Sequence, residues 1–155
     1  MPSCVLQLRN FNVNQLHFYE NSKYSEDESL TIRPKFSIEA FQAEDNPNFY
    51  KIVLGCRIFE EISAPFKISV EVEGEFSVEG ENCESMIQYN AVAILMPYVR
   101  ALVTQLTCLA EKPPLFFPII NIYSLIDGEK SENYNDENEN SGQKIDDNDS
   151  NENEE

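Results

Sequence analysis

The stretch Asn90-Ala-Val-Ala-Ile-Leu-Met-Pro-Tyr-Val-Arg-Ala-Leu-Val-Thr-Gln-Leu-Thr-Cys-Leu-Ala110, continued by Glu111-Lys-Pro-Pro-Leu-Phe-Phe-Pro-Ile-Ile-Asn-Ile-Tyr-Ser-Leu-Ile126, decides the fold. Its first half repeats apolar residues at helix spacing. The second half sets Pro113, Pro114 and Pro118 among bulky side chains, which excludes both a regular helix and a central strand. Irregular backbone buried away from water leaves hydrogen-bonding groups unpaired, so such segments normally run over the surface and are polar. This one is apolar, and it therefore packs against another subunit or forms an apolar binding edge.

Upstream, Gly80-Glu-Asn-Cys-Glu-Ser85 opens the helical half, with Asn82 as the cap of a short helix through Tyr89 and Asn90 as the cap of the next. Pro97 is tolerated only where a new helix starts or the helix kinks. From there Tyr98, Ala101, Leu102, Gln105 and Leu109 trace one stripe, and Val99, Val103 and Leu106 widen it to most of the circumference. A helix apolar on more than one side packs against more than one neighbour. A sheet supplies one of them, which makes Tyr98, Leu102, Gln105 and Leu109 candidates for a subunit interface.

The first half of the chain reads as strands. Val5 to Tyr19 alternates, but its phase shifts after Leu8 and again after Val13, as expected of one long bulged strand or two short ones. Leu30, Ile32, Phe36, Ile38 and Ala40 share a parity with Pro34 among them, which points to an edge strand or a bulge. Asp45-Asn-Pro-Asn48 has turn chemistry. Phe49 to Phe59 places Ile52, Leu54, Cys56 and Ile58 on one face and Phe49, Val53 and Phe59 on the other. Phe66 to Glu73 alternates most regularly, with Phe66, Ile68, Val70 and Val72 inward, and Phe76 and Val78 keep that parity. Four antiparallel strands followed by helix make an α+β order: a four-stranded antiparallel sheet with a long helix and a short helix packed on one side.

Of the 155 residues, 41% are hydrophobic, enough for one domain with a core. The net charge of −17 excludes partners recognised through Lys and Arg on phosphates: nucleic acid and anionic lipid. From residue 128 onward acids and Asn prevail with Ile145 as the lone aliphatic, so the domain is expected over 1–127 and a disordered acidic tail over 128–155. Met1 to Asn21 lacks the basic start and apolar core of a secretory signal. Pro97, Arg100, Thr104, Gln105 and Thr107 argue against membrane insertion of the apolar run. Cys4, Cys56, Cys83 and Cys108 show no metal or redox spacing, which implies reduced thiols, a cytoplasmic location and no metal. No phosphate loop, nucleophile elbow or ligand cluster calls for a cofactor or catalysis. His17, the only histidine, is a surface or cross-strand residue.

Phe49-Tyr-Lys-Ile-Val-Leu54, Gly74-Glu-Phe-Ser-Val78, Ile94-Leu-Met-Pro-Tyr-Val-Arg100 and above all Pro113-Pro-Leu-Phe-Phe-Pro-Ile-Ile-Asn-Ile-Tyr-Ser-Leu125 resemble, in order, the corresponding stretches of the bacterial protein-export chaperone SecB. The resemblance implies a homotetramer built as a dimer of dimers. It implies an ATP-independent holdase that keeps unfolded precursor proteins translocation-competent and passes them to the translocase motor SecA. It places an apolar client groove at the link after the long helix, with Leu115, Phe116, Phe117, Ile119 and Ile120 as its candidate residues.

The chain also departs from that family. Where the motor-docking surface carries acids it has Gln15, Tyr19, Lys67 and Ser69, and the closing amphipathic helix is curtailed after Ile126. A SecB-like chaperone serving a dedicated client such as an antitoxin is one alternative. A small-ligand-binding or enzymatic α+β domain, with its pocket between sheet and helix, is another.

Overall fold

The computed structural model describes residues 4–24, 32–81, 83–117 and 119–128. Four strands, β1 (Val5–Glu20), β2 (Lys35–Gln42), β3 (Phe49–Ile58) and β4 (Phe66–Glu79), precede the long helix α1 (Glu84–Leu109). A short helix, α2, covers residues 122–128. The sheet is antiparallel throughout with spatial order β1-β4-β3-β2. The expected architecture is thus present: four antiparallel strands, one long helix and one short one.

β1 is a single strand with two irregularities in its register, between Leu8 and Asn10 and between Val13 and Gln15. These are the two phase shifts visible in the sequence. Each extra residue restores parity, so Leu6, Leu8, Phe11, Val13, Leu16 and Phe18 all pair with the inward residues of β4, from Val78 down to Ile68. The extra residues serve the outer face: Arg9 Nε donates to Ser77 Oγ at 2.7 Å, and Asn14 Nδ2 reaches Glu71 and Glu73 at 3.3 Å.

Ile52, Leu54, Cys56 and Ile58 of β3 and Val72 and Phe76 of β4 are completely buried beneath α1. Burial pushes the Cys56 thiol up to about 12, so it stays protonated. α1 packs onto Gly74, where an added Cβ would lie 2.7 Å from the Phe76 ring and 3.0 Å from Leu95 of the helix. Gly74 stands between the apolar residues Val72 and Phe76 because a side chain there would clash with the Phe76 ring and with Leu95 of α1.

Four expectations are corrected. β2 begins at Lys35, after Pro34; Ile32 lies outside it, and Leu30 falls outside the described residues. Phe59 does not continue the outer face of β3: its φ of 58° turns the side chain into the core, where it meets Phe66 edge-on at 5.2 Å. α1 runs unbroken through Asn90 and Pro97, so the short helix is α2 and not a segment ending at Tyr89. An interior proline costs about 3 kcal/mol, and burial of Leu95 and Met96 before it and Val99 and Val103 after it offsets that cost. Asn82, the expected cap, lies outside the described residues.

Nor are all four thiols reduced, as their spacing had implied. Cys4 and Cys83 form a disulfide across a sequence separation of 79, with Cα atoms 5.6 Å apart. Spacing hides the pair, but register explains it: Val5 faces Glu79 across the sheet, and α1 starts just beyond that strand end. Cys56 and Cys108 remain free, the first buried and the second exposed.

Candidate functional site

The proline-rich link runs from the end of α1 to α2. α1 closes with the Lys112 amide bonded to the Thr107 carbonyl and the Glu111 amide to the Cys108 carbonyl, while Glu111 takes a φ of 57°. This is a Schellman stop, which usually carries glycine at the left-handed position. It reverses the chain so that the link returns along α1, and Lys112 pairs with Glu20 at the end of β1.

Three polar residues of α1, spaced i, i+4, i+7, then bond three backbone groups of the link. The Leu115 amide donates to Thr107 Oγ1 at 3.0 Å, the Leu115 carbonyl accepts from Thr104 Oγ1 at 2.9 Å, and the Phe117 carbonyl accepts from Arg100 Nη2 at 3.2 Å. Arg100 also lies over the Phe117 ring, 5.7 Å from its centroid. In the sequence these residues only interrupt an apolar run. In the fold they pair backbone groups of its two buried residues, Leu115 and Phe117, that would otherwise be left without water.

Fixing alternate residues divides the five groove candidates. Leu115 and Phe117 point inward and are 6% and 3% exposed, and Phe117 meets Phe36 of β2 edge-on at 6.0 Å. Phe116 and Ile119 point outward and are 76% and 88% exposed. Ile120 is half-buried against the core. Sequence patterning alone does not separate Phe116 from Phe117, because the signal lies in the Thr104 and Arg100 hydroxyl and guanidinium partners.

α2 follows, capped by Asn121 Oδ1, which accepts from the Tyr123 and Ser124 amides at 3.1 and 3.4 Å. Tyr123 stacks on Tyr89 at 4.7 Å, and the Tyr89 hydroxyl donates to Asp127 at 3.0 Å, which raises the tyrosine pKa above its ordinary value. Ile126 is buried.

The interface candidates occupy another face of α1. Tyr98 and Leu109 are exposed at 45% and 82%, Gln105 is exposed and Leu102 half-buried. Tyr98 packs on Phe11 of β1 with centroids 4.5 Å apart. This face therefore adjoins β1, whereas the link adjoins β2. Val13 and Leu16, on the helix side of β1, also stay exposed. Nothing in their strand pattern marks them as uncovered; only the position of the helix does.

On the outer face of the sheet, Gln15, Tyr19, Lys67 and Ser69 lie at one end of β1 and β4, where Tyr19 opposes Lys67 and Ser69 donates to Gln15 at 3.3 Å. His17 is exposed beside them, opposite Ser69. Glu71, Glu73 and Glu75 occupy the middle of β4, and Lys51 pairs with Glu73 at 3.3 Å. The sheet–helix interior, where a small-ligand domain would need its pocket, is filled by Phe76, Leu95 and Val99.

No family model matches the chain. It is 32% identical over 131 residues to the uncharacterized protein MJ0357 of Methanocaldococcus jannaschii, covering 81% of this chain and 84% of that protein. Among solved structures, the SecB-like chaperone Rv1957 of Mycobacterium tuberculosis, in complex with a ChAD peptide from the Rv1956 HigA1 antitoxin, is 17% identical. That match covers 74% of this chain and 90% of Rv1957 with a TM-score of 0.60, and it shows the same fold. A protein of unknown function from Streptococcus agalactiae is 18% identical over 77% of this chain and 99% of its own, with a TM-score of 0.46.

Proposed function

For a chain that belongs to the family of the Methanocaldococcus jannaschii protein MJ0357 and carries a SecB-like fold, we propose the role of an ATP-independent holdase that binds unfolded polypeptides. The observation that carries it is the link after α1: α1 side chains bond the Leu115 amide and carbonyl and the Phe117 carbonyl, yet the link presents Phe116 and Ile119 to water. Contacts of this kind are apolar and sequence-tolerant, each contributing ~1.5–3 kcal/mol when a client buries it. Leu115 and Phe117 anchor the link from below, and Ile120 flanks it. No nucleotide or cofactor is required.

The second apolar zone, with Tyr98, Leu102, Gln105 and Leu109 on α1 and Val13 and Leu16 on β1, is the proposed subunit interface of a homotetramer arranged as a dimer of dimers. Delivery to SecA draws no support from the outer face, where Lys67 and Ser69 stand in place of acids. That substitution favours a second reading, a chaperone with a dedicated client. The peptide bound by Rv1957 comes from an antitoxin.

The test is suppression of aggregation of a chemically unfolded protein. The wild-type chain suppresses it without nucleotide, and Phe116→Ser with Ile119→Ser lowers suppression at least about tenfold, given the burial each side chain forfeits. The melting transition stays within about 0.5 kcal/mol, as for exposed positions. Wild-type protein inactive on several unrelated substrates yet active on one partner would shift the reading to the dedicated client. Equal suppression by the double variant would remove the link from the binding site.

A further inference from the structure

One end of the outer sheet face is cationic on a protein of net charge −17. β1, β3, β4 and the turns after β1 and β3 enclose there a concavity of about 690 Å³, bordered by Lys23, Arg57, Lys67 and His17, with Glu60 as its one carboxylate. Arg57 and Lys35 share Glu60 at 3.4 and 2.6 Å and hold its carboxyl below the ordinary range, the Lys35 hydrogen bond contributing most. Lys23 and Lys67 make no ion pair among the described residues. Ile62 and Tyr19, 91% and 56% exposed, add apolar surface to the rim. With a single carboxylate, already shared by Arg57 and Lys35, against this group of cations on an acidic protein, the concavity favours an anionic occupant.

We propose that this concavity is the docking site of the chain's own C-terminal segment, residues 129–155, which lie outside the described residues. That segment holds eleven acids against Lys130 and Lys144, and it has one aliphatic residue, Ile145, followed by Asp146, Asp147 and Asp149. Ile145 complements Ile62 and Tyr19, and the aspartates complement Lys67, Arg57 and Lys23. Reach is sufficient: 27 residues span up to ~90 Å, whereas the full length of β4 is ~45 Å. Gly128 ends α2 on the helix side near Tyr89, so the segment passes round one sheet edge. Docked there, it covers the outer face against acidic partners and leaves Phe116 and Ile119 open.

Zero-length carbodiimide crosslinking of the full-length protein tests this, with unlabelled and 15N-labelled chains refolded together and the links mapped by mass spectrometry. Lys67 and Lys23 should be joined to carboxylates of 129–155 within chains of one label, about tenfold more than Lys51 or Lys112, and the excess should vanish near 0.5 M salt as charges are screened. Arg57→Gln, at an exposed position of β3, combined with Ile145→Ser should cut the yield about tenfold through lost charge and apolar contact. Mixed-label links would place another copy's segment in the site. Links from Lys67 to Glu26, Asp27 or Glu28 would assign it to the β1–β2 connection. Either outcome overturns the proposal, as does an even spread over the lysines or an unchanged yield in the double variant.

Discussion

Phe117→Ala is expected to lower stability by about 3–5 kcal/mol, the range for truncating a buried aromatic, while Phe116→Ala changes it by no more than about 0.5 kcal/mol, as at other exposed positions. The two residues are adjacent and chemically identical; the difference comes wholly from which way the link faces. Phe117 is buried against Phe36 and under Arg100, and its removal leaves a cavity where β2, α1 and the link meet. Phe116 touches water in the free protein and contributes only when a client covers it. Denaturant midpoints of the two variants decide the matter. Equal losses would mean that the link is turned differently on α1, and with it the assignment of the client edge.

The second large effect concerns the Cys4–Cys83 bond, which ties the start of β1 to the start of α1. Constraining a loop of 79 residues in the unfolded chain is worth about 4.5 kcal/mol by the chain-entropy relation. Cys4→Ala with Cys83→Ala should therefore lower Tm by on the order of 10 °C, and reduction of the wild type should do the same. Native alkylation offers an independent check. Only Cys108 should react, because Cys56 is buried with its thiol pKa near 12 and the other two are joined. Labelling at Cys4 and Cys83 in the unreduced protein, or a double variant as stable as wild type, would show that the pair does not hold the fold together.

Much of the fold is readable from local patterns. The alternation at Phe66 to Glu73 places β4, and the two phase shifts in β1 announce its bulges, because period-2 strands record every extra residue. Where the reading fails, the information is not local. Phe59 changes face through one positive φ, and Pro97 sits inside a helix because the sheet holds both halves in place. Cys4 and Cys83 meet through a strand register that spacing cannot reveal. The link was recognisable as anomalous from its prolines and aromatics. Which of its residues face outward depends on hydrogen bonds from Arg100, Thr104 and Thr107, three side chains that in the sequence only mark where a membrane span fails.

The central claim is that an apolar edge of this chain holds unfolded polypeptide, and calorimetric titration with a permanently unfolded protein, reduced and alkylated, tests it most directly. Saturable binding without nucleotide is expected, with a negative heat-capacity change, the mark of apolar burial. In Phe116→Ser with Ile119→Ser the affinity should fall about a hundredfold, since about 3 kcal/mol of burial is lost. No saturable binding by the wild type, or binding unchanged in heat capacity and affinity by that double substitution, would contradict it.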